Sequence, residues 1–169
     1  MDEKEPGVKE KSMNLSPVLH QAITHQHNML DQMIPGISPE QIHRPPAPDK
    51  WSIHDQIVHL AVYQPVFIER IHKILKEDSP AFGRYIADTD ENFLSARKKT
   101  TAEMHLVLKT DRDKLVSLLG GLTKEQIQRK GIHPLFGPMT ISQWTEFFIL
   151  HEAHHLFSVF KLRNYQQQA

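Results

Sequence analysis

The sequence contains no cysteine. Disulfides, thiolate metal ligands and a cysteine nucleophile are therefore excluded, and a reducing, cytoplasmic compartment suits the chain. A surplus of charge is also missing. Twenty basic residues balance twenty acidic ones, so no net field draws the protein to nucleic acid or to an anionic membrane. No run approaches the roughly 18 apolar residues of a membrane span. The opening MDEKEPGVKEKS is charged where a secretion signal is apolar. At 169 residues the chain has the size of one domain. Residues 1–12 read as a disordered N-terminal segment and residues 13–169 as that domain.

What is present in excess is histidine, 12 residues against 7 glycines. Imidazole is the commonest neutral metal ligand, so the placement of these histidines matters more than their number. Helix-start signals divide the chain. Ser16-Pro17 precedes Leu19, Ile23, Leu30 and Ile34 at helical spacing, and Pro35-Gly36 ends that run. Ser52 with Asp55 forms a capping box ahead of the stripe Ile53, Ile57, Leu60, Phe67, Ile71 and Leu75, in which Pro65 should kink or split the helix. Thr100 with Glu103 opens a third helix carrying Met104, Leu108, Leu115 and Leu119, and Thr140 with Gln143 opens a fourth reaching about Asn164. The intervening residues 78–99 are polar and weakly periodic, with room for a short helical turn. No convincing strand pattern appears. The expected fold is all-α, a four-helix bundle.

The fourth helix contains ILHEAHHLF, and within it H-E-x-x-H, the helical word of zinc proteases. At about 100° per residue, Ile141, Trp144, Phe148, His151, His155, Val159 and Leu162 share one core-facing stripe. His154 points away. Two imidazoles one turn apart on one face can converge on a metal ion. The protease reading fails downstream, because zincins need a further ligand after the second histidine. Here the sequence continues LFSVFKLRNYQQQA, without Asp, Glu or His, and Ser158 and Lys161 stand where the longer motif requires Gly and His. Any third ligand must come from upstream. His59 lies about 100–120° from the centre of its helix's apolar stripe and borders the core; His54 competes with it, and the two cannot face one site. Glu152, roughly 60° round the helix from His155, reads equally as a base or second-layer partner and as a surface carboxylate.

Two segments, KWSIHDQIVHL (Lys50 to Leu60) and HPLFGPMTISQWTEFFILHEAHHLFSVFKL (His133 to Leu162), together with the four-helix layout, resemble the DinB-like superfamily, and within it the YfiT-like metal-dependent hydrolases. The resemblance implies a bundle with a three-histidine site. One ligand follows the W-S cap, here His59, and two come from H-x3-H on the last helix, here His151 and His155. It also implies a divalent metal, typically zinc or nickel, with positions open to water or substrate, and homodimers.

Three neutral histidines with vacant positions suit a catalytic site. Such an ion can activate water for hydrolysis of a small molecule or hold a low-molecular-weight thiol, of the bacillithiol type, as a thiolate for S-transfer. A third reading is a stress-related metal-binding protein without turnover. Thiol transfer calls for a basic neighbouring pocket, for which Arg70, Arg84 and Arg97 are available. Trp144 and Phe148 read as core, and His133 as structural. Leu150, Phe157 and Phe160 lie off the core stripe of the last helix, so either the long connection or a second subunit covers them, and a second subunit is the favoured reading.

Overall fold

A computed structural model describes residues 14–166; the expected disordered segment lies outside the described residues. In chain order the elements are α1 (Pro17–His25), α2 (Met29–Met33), α3 (Pro39–His43), α4 (Ile53–Lys76), α5 (Glu91–Ala96), α6 (Thr101–Gly120), α7 (Lys124–Ile127), β1 (Lys130–His133), β2 (Gly137–Thr140) and α8 (Ile141–Gln166). Together α1 and α2 form the first bundle helix, and α4, α6 and α8 the other three. Each long helix starts where a side chain satisfies free backbone amides. The Ser16 hydroxyl accepts from the Leu19 amide. Ser52 and Asp55, Thr100 and Glu103, and Thr140 and Gln143 each exchange the reciprocal bonds of a capping box.

Three local features depart from the sequence expectation. The first helix is interrupted by a 3-10 turn at Gln26–Asn28, where His25 leaves helical geometry with φ −124°. The interruption brings the Gln26 side chain to α8, where Nε2 donates to Ile149 O (2.9 Å) and Glu152 Oε1 (3.1 Å). Pro65 does not split α4, which runs through it as one element with the proline on an exposed face.

The third departure is an antiparallel hairpin, β1 against β2, in register Lys130↔Thr140 to His133↔Gly137. Four-residue strands are too short to show a period of two. Gly137, at φ +72°, supplies the left-handed residue that a three-residue hairpin loop requires. His133 Nδ1 accepts from the Leu135 and Phe136 amides (3.1 and 3.2 Å), stapling the loop. The other edge of β1 holds the α4–α5 connection through Phe82 N–H to Ile132 O (3.1 Å) and Ile132 N–H to Pro80 O (2.8 Å). Gly131 permits this approach, because a Cβ there would sit 2.8 Å from Ile74 and Phe82 carbons.

The core is divided along the bundle. One apolar cluster gathers Ile23, Phe67, Ile71, Leu115, Leu119, Trp144 and Phe148. The other gathers Leu30, Ile53, Ile57, Leu108, Leu156 and Val159. Between them every bundle helix contributes a polar side chain: Gln26, then His59 and Gln64, then Arg112, then His151, Glu152 and His155. This polar layer contains the candidate site.

Candidate metal centre

His59 on α4 and His151 and His155 on α8 converge. The Nε2 atom of His151 lies 3.1 Å from Nε2 of His59 and 3.1 Å from Nε2 of His155. One ligand atom from each residue falls within 4.8 Å of the others. His59 and His155 are 4% and 9% exposed, and His151 is half-buried. His59 is thus inside the protein, although its helix stripe places it only at the core's border.

No placement of protons satisfies these contacts. His155 donates its Nδ1 proton to Gln56 Oε1 (2.7 Å), which leaves a lone pair on Nε2. If His151 Nε2 carries a proton, it can direct it at one neighbour only. If it carries a lone pair, it faces the lone pair of His155. A cation resolves the conflict by accepting all three lone pairs. Bonds of about 2.0–2.1 Å at tetrahedral angles put neighbouring ligand nitrogens about 3.3 Å apart, close to the observed spacing. The Gln56 bond is the orienting contact that metal-binding imidazoles usually make through their second nitrogen. Burial supplies neutral ligands: it is the largest cause holding His59 at about 3, His151 at about 4 and His155 at about 2, with neighbouring histidines adding to it. The residues therefore fit a divalent cation.

Aromatic side chains enclose the triad. Trp51, the tryptophan of the W-S element, lies 5.0 Å from the His59 ring and 6.0 Å from the His155 ring, and its Nε1 donates to Asp88 Oδ1 (3.0 Å). Phe93 closes the side behind His59. Tyr63 stacks between His59 and His151 (5.8 and 4.5 Å), and Tyr85 lies 5.8 Å from His59. Burial raises both phenols, so each remains a proton-bearing hydroxyl. On the open side a cavity of about 540 Å³ is bounded by His59 and His151, the two tyrosines, Arg70, Arg84 and the hairpin loop with Phe147.

The remaining candidates fall elsewhere. His54 turns to Thr101 Oγ1 (2.9 Å) and Arg97 O (3.1 Å), away from the triad. Arg97 pairs with Asp55 (2.7 Å) and does not line the cavity, whereas Arg70 and Arg84 do. His133 staples its loop and also reaches the cavity wall. Glu152 is 1% exposed and not a surface carboxylate. Its carboxylate forms an ion pair with Arg112, also 1% exposed, and accepts from Gln26. Arg112 completes its own contacts with Gln64 Oε1 and with Ile23 O (2.9 Å). Gln56, Tyr63, Tyr85 and Arg112 were not legible as site residues. Only Gln56, one turn before His59, carried a signal in its spacing.

Fold and site define a helical-bundle protein with a buried three-histidine cluster suited to a divalent cation. The DinB superfamily model matches residues 22–157, and the chain belongs to that family. It is 28% identical to YuaE of Bacillus subtilis, over 72% of this chain and 82% of that protein. It is 22% identical to OB0413 of Oceanobacillus iheyensis, provisionally named a metal-dependent hydrolase, over 76% and 74%. Among solved structures, YfiT of Bacillus subtilis superposes with TM-score 0.75 at 20% identity, covering 99% of this chain and 93% of its own. It too is provisionally described as a metal-dependent hydrolase, with an unusual four-helix bundle topology. The DinB-like protein YjoA of the same organism superposes with TM-score 0.59 at 18% identity, over 89% and 92%. At these identities the superpositions establish the fold. Among the described residues no helix is long and apolar enough to cross a membrane.

Proposed function

We propose that this protein is a metal-dependent hydrolase of a small molecule, with zinc or nickel held by His59, His151 and His155. The observation that carries the reading is the convergence of three Nε2 atoms whose contacts no proton arrangement satisfies. The bound cation would supply Lewis acidity at the cavity floor. The chain's own groups do the rest. Burial keeps the imidazoles neutral, Gln56 aims His155, and Trp51 shuts water out behind the ligands. Tyr63 lines the cavity, and its hydroxyl accepts from Arg70, which leaves its own proton to donate to a developing anion or leaving group. Glu152 is not the base in this scheme, since Arg112 and Gln26 engage its carboxylate; it is a structural clamp.

Thiol transfer is the second reading, supported by Arg70 and Arg84 at the cavity wall. Metal analysis of the purified chain comes first. Near-stoichiometric zinc or nickel is expected, with loss of most of it in His59→Ala and His155→Ala. Equal, negligible metal in all three would remove the centre. Turnover of an ester, amide or phosphate that disappears in His151→Ala supports hydrolysis. Product formed only when a thiol and an electrophile are both supplied supports transfer, and a metal-loaded protein inert to both assays is a binding protein.

A further inference from the structure

Among the described residues, the cavity beside the triad is bounded by two arginines and by no carboxylate. Elsewhere Arg97 pairs with Asp55, Arg112 with Glu152 and Lys109 with Asp31, while Arg129 gives its donors to the carbonyls of Ile74 and Glu77. Arg70 is half-buried, and its donors go to neutral oxygens, Gly83 O (3.0 Å) and Tyr63 Oη (3.3 Å). Its guanidinium lies over the rings of Phe82, Trp144 and Tyr63 at 5.5, 5.6 and 5.9 Å. Arg84 has neither ion pair nor hydrogen bond among the described residues. Holding a guanidinium partly out of water without a counter-charge is unfavourable, and Arg70 so held, with the exposed Arg84 beside the same cavity, leaves a positive field directed into it.

Much of the remaining wall is apolar. Phe147 lines it, as do Leu135 and Phe136 at the hairpin tip, which are 78% and 58% exposed. Phe136 stacks on His133 at 4.7 Å, and apolar side chains so exposed at a loop tip form one side of a pocket for a small molecule.

We propose that the substrate is a small amphiphilic anion. A carboxylate or phosphate group is held by Arg70 and Arg84, and an aryl or alkyl portion packs on Leu135, Phe136 and Phe147, which brings the reacting bond to the three-histidine centre. Planar guanidinium groups suit this task because they bind both kinds of oxyanion through paired N–H donors. The assignment rests on reading the triad as the reaction centre, but the anion site is separable from it.

The test compares benzoate with benzamide, which share a shape and differ in charge, by titration calorimetry on the full chain stripped of metal. Benzoate is expected to bind at least about tenfold more tightly, and Arg84→Gln to abolish that preference while leaving benzamide binding unchanged. Arg84 is exposed and unpaired, so the variant keeps its fold. Equal or undetectable binding of the two probes overturns the proposal. So does a preference for benzoate that appears only after zinc is added, since the carboxylate would then sit on the metal. Zinc content of the same preparations separates the two claims: zinc bound without a benzoate preference defeats the anion site alone, and no zinc with the preference intact defeats the metal centre alone. In turnover, Arg84→Gln raises KM for whichever molecule carries the anion, the hydrolysed ester or the thiol; an unchanged KM for both overturns the proposal.

Discussion

Replacing Glu152 with glutamine distinguishes a catalytic base from a structural clamp. The substitution keeps shape and one acceptor but removes the charge facing Arg112. Both partners are 1% exposed, so solvent cannot take over the lost interaction. The guanidinium would keep only Gln64 Oε1, Ile23 O and an amide oxygen at position 152 as acceptors. Breaking a buried pair from one side typically costs about 3–5 kcal/mol, out of the roughly 5–15 kcal/mol that hold a domain folded. For a chain of this length each kcal/mol moves Tm by about 2–4 °C. Glu152→Gln should therefore melt about 10 °C below the parent protein, read by circular dichroism at 222 nm. Measured below that transition, the folded variant should still bind zinc and retain turnover per bound metal. The opposite result would refute the assignment: an unchanged Tm and full zinc occupancy with turnover abolished would make Glu152 the base.

Gln56→Leu leaves the His155 Nδ1 proton without an acceptor and should weaken zinc binding by about 10–100-fold, read by competition with a chromophoric chelator; an unchanged affinity would show that the contact orients nothing. The metal-free protein should lose stability in acid. His59, His151, His155 and His27 titrate at about 3, 4, 2 and 4 when folded, burial being the largest cause, against an ordinary 6.5. The unfolded chain thus takes up protons first, so the stabilisation is complete well above pH 6.5 and declines below it, by about 1.4 kcal/mol per pH unit for each group, until that group's folded value is reached. Urea midpoints at pH 7.5 and 5 that coincide would contradict this. On the outer face of α8, Leu150, Phe157 and Phe160 are all more than half exposed, and we propose that a second copy covers them. Sedimentation velocity should show a dimer that Phe157→Lys converts to monomer; a monomeric parent protein would end that proposal.

The legible parts of this molecule are those with a local cause. Capping hydroxyls mark the helix starts, and the H-x3-H spacing puts two imidazoles on one face whatever surrounds the helix. His59 is harder to read because its burial comes from outside the bundle. From Ile53 to Ala61 every residue of α4 is buried, since Trp51, Tyr85 and Phe93 cover the face that a helical wheel would leave to solvent. The same physics hides the pocket. Its walls are a hairpin of four-residue strands and a polar connection, held together by two backbone hydrogen bonds to Ile132 rather than by any pattern of side chains. Arg112 was illegible, and Glu152 legible only as one of two equal alternatives, for another reason: a charged residue on an amphipathic helix reads as surface unless its partner on another helix is known.

That hidden pair explains why the histidines meet. The layer of Gln26, Gln64, Arg112 and Glu152 lies between two apolar clusters, and Glu152 is the residue next to His151. Sliding α8 by one turn would carry the Glu152 carboxylate into an apolar cluster and leave Arg112 without its counter-charge. The layer therefore holds the register of α8 against α4 and α6, the same register that sets His151 and His155 opposite His59. Such pairs add little net stability compared with well-packed apolar replacements. The double variant Arg112→Met with Glu152→Leu should accordingly melt closer to the parent protein than either single variant does. Its zinc affinity should nevertheless fall, because the ligands on α8 lose the layer that fixed their height. Thermal melts and chelator competition on one preparation read the two effects separately. A double variant that keeps both its Tm and its zinc affinity would show that apolar packing alone sets the register.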